Sequence, residues 1–508
     1  MTGRAISLVI TDPKGELLDD CGAFLETHGY VVKVFNLFDM GRSDCYNPFA
    51  YIREENDVAV LVGGIVVNMG EGKNQGDHWE ANARYVLNSI CYYIYYEKDY
   101  QESNFATVLQ LLNEWESSEK DEFRSAYDRR MEELEDRKGA DHAAVVWWRK
   151  VSAKGQELSS IISTAQTITG IFAQTAIRTM TATDSMELDR VGDRPTALFI
   201  ITPPTTKVFN FLAALMYTQL FTLLQNKANR DYREQGRVLP HKVWFILDEF
   251  SNIGKIPDFD IQITLIRSAG MFCSIIVQSP SQIEAIYDKI TPTILSNCSI
   301  TLFLGASGNT QKDDSAADFI SRNLGNMTIA AESSNVDYTA NSHNPKITRS
   351  YNATQRPVMT PDEVKRLPAD ECIILLGGQF PVRAKKIRQL EKCMNYDVFL
   401  EVGHYRTGER KNTTLTYQEG RERSAEIEEI QQKCRDAEAE KKKAFDEIDR
   451  KYMPKPEGSA QSEENTPVTS PFVPFLEKFT RERVEREMIP SETKVFNWRA
   501  EFEEAEEL

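Results

Sequence analysis

The chain has 508 residues, a formal net charge of −17, 41% hydrophobic and 10% aromatic residues, which is ordinary for a globular protein of two or three domains. The acidic balance argues against tight autonomous DNA binding, which needs local Lys and Arg to neutralise phosphates; it leaves room for a channel lined by a few basic loops. Eight Cys and six His show no CxxC pair and no ligand-like spacing, no signal peptide opens the chain, and no run reaches the roughly 18 to 20 apolar residues of a membrane helix.

Ala5 to Thr11 reads as a buried strand, Asp12-Pro13-Lys14-Gly15 as a turn, Glu16 to Gly29 as a helix and Tyr30 to Phe35 as the next strand. This βαβ pattern implies a parallel crossover. Asp12 falls at a strand's C-terminal tip, where it is either a helix-capping residue or a group that orders Mg²⁺ or water. Asp57 to Met69 is a short apolar helix.

From Gly76 the pattern turns wholly helical. Asp77 to Tyr96 carries Trp79, Tyr85, Val86, Ile90 and Ile94 on one stripe, and further helices are expected from Ser103 to Glu116 and over Asp141 to Thr181. Glu119 to Lys138 has mixed charges at i, i+4 spacing and reads as a solvated helix. Trp147-Trp148 before Arg149-Lys150 fits helix packing better than base stacking. The sheet returns at Ala197 to Thr202, Pro203-Pro204-Thr205 breaks it, and a long helix follows to Gln225. Its most apolar part, Val208 to Leu224, contains Asn210, Thr218 and Gln219 and reads as a core helix. Asn226 to Pro240 is a polar, basic link.

Val243 to Phe250, VWFILDEF, is the most informative stretch. Five apolar residues read as a strand buried on both faces, and Asp248 and Glu249 follow at its C-terminal end, where open α/β sheets place ligands. This is the Walker B pattern of P-loop nucleotidases, in which one acid helps hold Mg²⁺ and its neighbour can orient water. A strand that merely ends in an acidic loop is the plainer reading of these residues alone. Ile261 to Ser268 reads as a helix containing Arg267, and Phe272 to Val277 as a second buried strand with Gln278 at its tip. A Gln there can reach a γ-phosphate or its attacking water, and an Arg on a surface helix can reach a neighbouring subunit's nucleotide.

A helix from Ser281 to Lys289, a strand from Ile300 to Leu304 and a helix from Gln311 to Leu324 come next. Met327 to Gln355 is polar and reads as an exposed loop or weak hairpin. Thr360-Pro361-Asp362-Glu363 starts a helix, with Thr as N-cap and Pro at its first position. Cys372 to Leu376 is the last expected strand. Arg383, Lys385, Lys386 and Arg388 form a basic cluster, read first as a solvated edge rather than a face for DNA or a neighbouring subunit. After about residue 419 the core is expected to end. Glu419 to Tyr452 reads as an exposed charged helix and Pro454 to Pro471 as a disordered linker. The acidic end, with Phe472, Phe475, Phe496 and Trp498, is either disordered or a docking segment.

Four stretches carry a family resemblance: ITDPKGE (Ile10 to Glu16), FILDEFSNIGKIPDF (Phe245 to Phe259), the Arg267 to Gln278 segment, and RPVMTPDEVKRLP (Arg356 to Pro368). In this order the chain resembles the TraG/TraD-like coupling proteins of conjugative type IV secretion, which are RecA-type DNA-pump ATPases. The resemblance spans most of residues 5 to 395 and argues against another RecA-type translocase, such as a chromosome-segregation pump. It implies an α/β fold: a RecA-like core over 1–75 and 192–400, an all-α insertion over 76–191, a charged helical extension over 401–452 and a disordered tail over 453–508. It also implies binding of ATP and Mg²⁺. Asp248 would be the Mg²⁺-side acid, Glu249 the catalytic acid, Gln278 the γ-phosphate sensor, Arg267 a finger acting in trans, and Asp12 and Lys14 nucleotide-side residues. The implied partners are relaxase-bound single-stranded DNA (the relaxosome), the secretion channel and five further copies in a hexameric ring at the inner face of the cell membrane. One departure stands out. The family's Walker A loop, G-x-x-x-x-G-K-[ST], does not occur: Gly72-Lys73 is followed by Asn74, Val67 stands where the first Gly belongs, and Gly254-Lys255 is followed by Ile256. The expectation is a fold without its Walker A strand and loop and without the family's N-terminal membrane helices, inactive as an ATPase by itself, or a binding module for relaxosome or partner subunits.

Overall fold

A computed structural model describes residues 5–70, 78–115, 124–203, 208–305, 314–337, 346–387, 402–405 and 413–452. Gly72 to Asn74, Pro204-Thr205, Arg388 and the tail aromatics Phe472, Phe475, Phe496 and Trp498 lie outside the described residues.

The chain opens with β1 (Ser7–Thr11), α1 (Glu16–Thr27), β2 (Val31–Asn36) and α2 (Glu55–Met69). Six helices follow: α3 (His78–Glu97), α4 (Phe105–Glu114), α5 (Ala126–Lys138), α6 (Ala143–Lys150), α7 (Gly155–Thr169) and α8 (Thr175–Met180). Then come β3 (Thr196–Ile201), α9 (Asn210–Arg230), β4 (Val243–Leu247), α10 (Phe259–Leu265), β5 (Met271–Ile275), α11 (Pro280–Tyr287) and α12 (Thr291–Ser296). The last elements are β6 (Ile300–Phe303), α13 (Asp314–Leu324), β7 (Asn326–Asp337), β8 (Lys346–Pro357), α14 (Pro361–Lys365), β9 (Glu371–Leu376), β10 (Val382–Lys385) and α15 (Thr413–Tyr452).

Five strands form a parallel sheet in the order β2-β3-β1-β4-β5. The apolar runs of β1 and β3 are continuous because both of their faces are covered, as expected of parallel sheets, whereas β4 leaves Trp244 exposed on one face. Val9, Leu198, Ile200, Phe245 and Leu247 face one core, and Ile10, Phe199 and Ile201 face the other with Leu18 of α1. On the first face Tyr217 and Phe221 of α9 pack on Phe245, with Phe221 and Phe245 ring centroids 4.4 Å apart. Burying each such ring contributes about 2–3 kcal/mol.

Further layers stack outward from α9. Gly64 of α2 lies against Leu215, α3 packs on α2, and Phe172, just after α7, meets Phe211 of α9 edge-on. The apolar core therefore runs without a break from the sheet into α3–α8. Among the described residues no strand interrupts that helical stretch. Trp147 and Trp148 are half-buried against this core, and the Trp148 indole N–H donates to Asp128 at 2.9 Å, so both serve helix packing.

Two placements are added to the sequence reading, and one expectation changes. The strands at Ile300 and Cys372 do not join the parallel sheet; β6, β9 and β10 form their own antiparallel sheet in the order β10-β9-β6. The polar stretch from Met327 takes the second of its two readings, a hairpin, as a long ribbon paired from Asn326 with Pro357 to Asp337 with Lys346. Its polar composition left loop and hairpin both open, because a two-stranded ribbon needs no apolar face to satisfy its backbone. Finally, the core does not end at residue 419. Thr416, Arg423, Ile427 and Gln431 of α15 are buried, and the helix donates from Gln431 to the Phe49 carbonyl at 2.7 Å. Its stripe reads as solvated because the groups that bury it are mostly polar and find polar partners.

Candidate functional site: an acidic sheet edge

Parallel strands put all their C-terminal tips on one edge. Asp12 follows β1, Asp248 and Glu249 follow β4, and Gln278 lies three residues beyond β5, with β1, β4 and β5 adjacent in the sheet. Lys14 joins them in the turn after β1, exposed, 3.8 Å from Glu16.

Asp12 is almost fully buried. Its two carboxylate oxygens accept the backbone N–H of Gly15 at 3.0 Å and of Leu18 at 2.8 Å. Both bonds belong to the start of α1, so the capping reading describes what the side chain does. Gly15, at φ 78°, gives the turn the left-handed residue it needs. Burial raises the Asp12 pKa above the usual carboxylate range, against the lowering effect of the N–H groups it accepts.

The Asp248–Glu249 turn is held from several sides. The pairing of β4 and β5 continues past the strand ends: Ile276 N–H donates to Leu247 at 3.0 Å, and Phe250 N–H donates to Ile276 at 3.1 Å. Asp248 Oδ1 accepts the Glu249 N–H at 2.9 Å. Glu249 sits at φ 45°, a left-handed conformation that side chains other than Gly, Asn or Asp rarely adopt. Asn252 Nδ2 donates to Glu249 Oε2 at 2.6 Å, fixing the carboxylate. The loop beyond is anchored on α2, where Asn68 accepts the Lys255 N–H and donates to the Lys255 carbonyl, each at 2.9 Å. Phe250 stacks on Tyr287 at 5.6 Å. Asn252 and Asn68 were not singled out by sequence reasoning. Asn252 stands inside the FILDEFSNIGK run, but Asn68 has no local signal and is brought here by the packing of α2.

Gln278 is exposed, and its N–H donates to Gln282 Oε1 at 3.0 Å. Arg267 is exposed in the turn Ile266–Ala269 that leads into β5, so it lies at the opposite edge of the sheet from Asp248. The structure therefore gathers Asp12, Lys14, Asp248, Glu249 and Gln278 and leaves Arg267 apart.

The donor set can be tested against Mg²⁺. No group of three or more His, Cys, Asp or Glu suited to a metal occurs among the described residues. Mg²⁺ at phosphate sites takes only one or two carboxylates, with phosphate oxygens and water completing its shell, so the half-buried Asp248, with Oδ2 not engaged by the Glu249 N–H, fits as its single protein ligand.

The family described as type IV secretory system conjugative DNA transfer matches residues 2–486. The conjugal transfer protein TraG of Escherichia coli is 25% identical over 382 residues, covering 72% of this chain and 58% of its own length. The protein VirD4 of Agrobacterium fabrum is 25% identical over 221 residues, covering 43% of this chain and 31% of its own length. The chain thus spans less than two thirds of these relatives. Among solved structures, the bacterial conjugative coupling protein TrwBdeltaN70 in its unbound monoclinic form aligns with a TM-score of 0.51 at 16% identity, over 76% of this chain and 79% of that one. The plasmid coupling protein TrwB in complex with ADP and Mg²⁺ aligns with a TM-score of 0.50 at 15% identity, over 76% and 79%. At this identity the likeness is one of fold: a mostly parallel central sheet with helices, the RecA-like α/β architecture. No helix among the described residues is long and apolar enough to cross a membrane.

Proposed function

The chain belongs to the type IV secretory system conjugative DNA-transfer family of coupling proteins, and on that premise we propose that it couples relaxase-bound single-stranded DNA to the secretion channel through a nucleotide site at the acidic sheet edge. The observation that carries the reading is two acids at the tip of β4 and an amide beyond the tip of β5, on neighbouring parallel strands.

In this reading Asp248 takes the metal side, and bound Mg²⁺ would neutralise charge on the terminal phosphates. Glu249, fixed by Asn252, holds and polarises a water, and Gln278 meets the γ-phosphate or that water. Asp12 acts through α1, whose start it caps, and Lys14 adds a positive charge beside it. Arg267, at the far edge, serves a neighbouring subunit of a ring rather than its own site. The ring is a homo-hexamer at the inner face of the cell membrane, and α3–α8 are its surface for the relaxosome.

A second reading is favoured by one sequence fact, the lack of any G-x-x-x-x-G-K-[ST] run in the 508 residues. Acids on one side of a site do not replace a nest of backbone N–H groups around phosphates. The 508-residue chain alone then hydrolyses ATP negligibly and acts as a binding module for relaxosome or partner subunits.

Both readings are tested on the purified chain. Capture of relaxase-bound single-stranded DNA is expected, and its failure at low salt removes the coupling role. On the second reading ATP hydrolysis, with and without single-stranded DNA, equals that of Glu249→Gln. Hydrolysis that disappears in Glu249→Gln would reveal a phosphate cradle elsewhere in the chain and eliminate the binding-module reading.

A further inference from the structure

We propose that the β9–β10 hairpin is a contact for single-stranded DNA, with Phe380 stacking on an unpaired base and Arg383, Lys385 and Lys386 meeting phosphates. DNA as the partner rests on the coupling reading; the place of contact is read from the hairpin itself. Phe380 is 93% exposed, the most exposed large apolar side chain among the described residues. A single exposed apolar residue is ordinary, but this one is set apart by how the chain holds it. The Gln379 N–H closes the turn on the Leu376 carbonyl at 3.1 Å, Gly378 takes the left-handed φ of 76°, and the Gly377 N–H anchors the tip to the Ser299 carbonyl at 2.9 Å. Pro381 follows and keeps the Phe380 backbone extended. The ring is thus presented on a fixed tip, so little freedom is lost when a partner covers it.

β10 is the outer strand of its sheet. From Cys372 to Ile387 the chain carries three cations and no acid. Arg383 and Lys385 alternate onto one face of β10, and both are exposed. Lys386 Nζ donates to the Ala369 carbonyl at 2.8 Å, which orients the ammonium without cancelling its charge. Two acids stand at the root of the hairpin: Asp370, which is exposed, and Glu371, which accepts from Arg383 Nε and lies opposite Lys385 in the ladder. A surface pair of this kind is weak and yields to a phosphate. The hairpin therefore keeps a positive excess on a chain of net charge −17. Sequence alone reads these cations as a solvated edge; the exposed ring on a fixed turn beside them is what the fold adds.

The occupant has to offer a flat apolar face and repeated negative charge together. A single strand does so, since its bases are free to stack on an aromatic ring while its phosphates follow a cationic track. In duplex DNA the base faces are already covered by their neighbours. An acidic peptide supplies the charge without the flat face.

The test is fluorescence anisotropy of a labelled single-stranded oligothymidylate with the purified chain, without relaxase or nucleotide. Binding that weakens with salt is expected. Phe380→Ala should weaken it about tenfold or more at every salt concentration, and Phe380→Trp, which restores a stacking face, should recover it. Lys385→Gln should instead flatten the slope of log affinity against log salt by about 0.7, one phosphate contact on a single strand. Phe38→Ala, at another exposed ring, should change nothing. A chain that leaves the bare oligonucleotide unbound, an affinity indifferent to Phe380→Ala, or displacement by polyglutamate as readily as by unlabelled single strand would overturn the proposal. The coupling reading is judged separately, by capture of relaxase-bound DNA. It survives if that complex is captured while the bare strand is not, and falls if the bare strand binds as expected while the complex is not captured.

Discussion

Arg423 donates to the carboxylate of Asp184 at 2.7 Å across 239 positions of sequence, and both side chains are buried. A second nitrogen of the same guanidinium donates to Asp189, and Tyr51 donates to the other oxygen of Asp184 at 2.6 Å. This cluster fastens α15 to the turn before α2 and to the stretch before β3. Replacing one member of a buried pair leaves the other charge without compensation. Arg423→Met is therefore expected to cost roughly 3–5 kcal/mol in urea unfolding. A cost below about 1 kcal/mol, the range of a surface pair, would show that α15 is held by its other contacts.

Burial outweighs the attraction of Arg423 and pushes the pKa of Asp184 up from 3.8 to about 6. The folded chain thus binds the extra proton more readily than the unfolded one. Its contribution is fully present below pH about 4 and is lost as pH climbs through about 6, a change of roughly 3 kcal/mol. Urea titrations across this window should show wild-type stability falling relative to Asp184→Asn, which has no proton to lose. A relative rise would reverse the assignment.

Gly420 lets α15 approach closely. A Cβ there would lie 2.7 Å from the Thr183 side chain and 3.0 Å from the Asp184 backbone carbon. Alanine gains up to about 1 kcal/mol of helix propensity, but overpacking against backbone costs about 1–3 kcal/mol. The expected net effect of Gly420→Ala is a lower Tm, read by calorimetry; a higher Tm would mean that the helix can shift outward without loss.

Asp12→Ala should remove the cap of α1 and cost about 1–2 kcal/mol. Asp12→Asn keeps an acceptor oxygen for one N–H group and should recover part of that loss in thermal unfolding. If Asn recovers nothing, the negative charge itself matters, and a metal-side role for Asp12 regains support.

The four predictions divide along what the sequence makes legible. The tip acids, Asp12 and Asp248, could be located from sequence because a strand inside a parallel sheet reads as a short apolar run, and the acid that follows it marks its end. The same rule located Gln278. Thr360 as a cap was legible too: its hydroxyl accepts the Glu363 N–H at 3.3 Å and the Glu363 side chain answers to the Thr360 N–H at 2.8 Å, a bond pattern contained within four residues.

What depends on distant partners was not legible. Local pattern reports whether a residue is polar, not whether a polar partner waits elsewhere. Arg423, Gln431 and Thr416 give α15 the profile of a solvated helix, and only the fold brings Asp184, Phe49 and Ser43 to meet them. Asn68 reaches the site loop from a helix 187 positions away. The separation of β6 and β9 from the parallel sheet is likewise a matter of pairing, since an apolar run specifies a buried strand and not which neighbour it bonds. By itself, then, the sequence determined the strands of the parallel sheet, their acidic tips and the helical stretch between them, because hydrophobic periodicity and turn chemistry act over a few residues. Tertiary structure alone decided which side chains share an edge and that the last described helix belongs to the core, because hydrogen bonds and charge pairs form wherever the chain brings partners within reach.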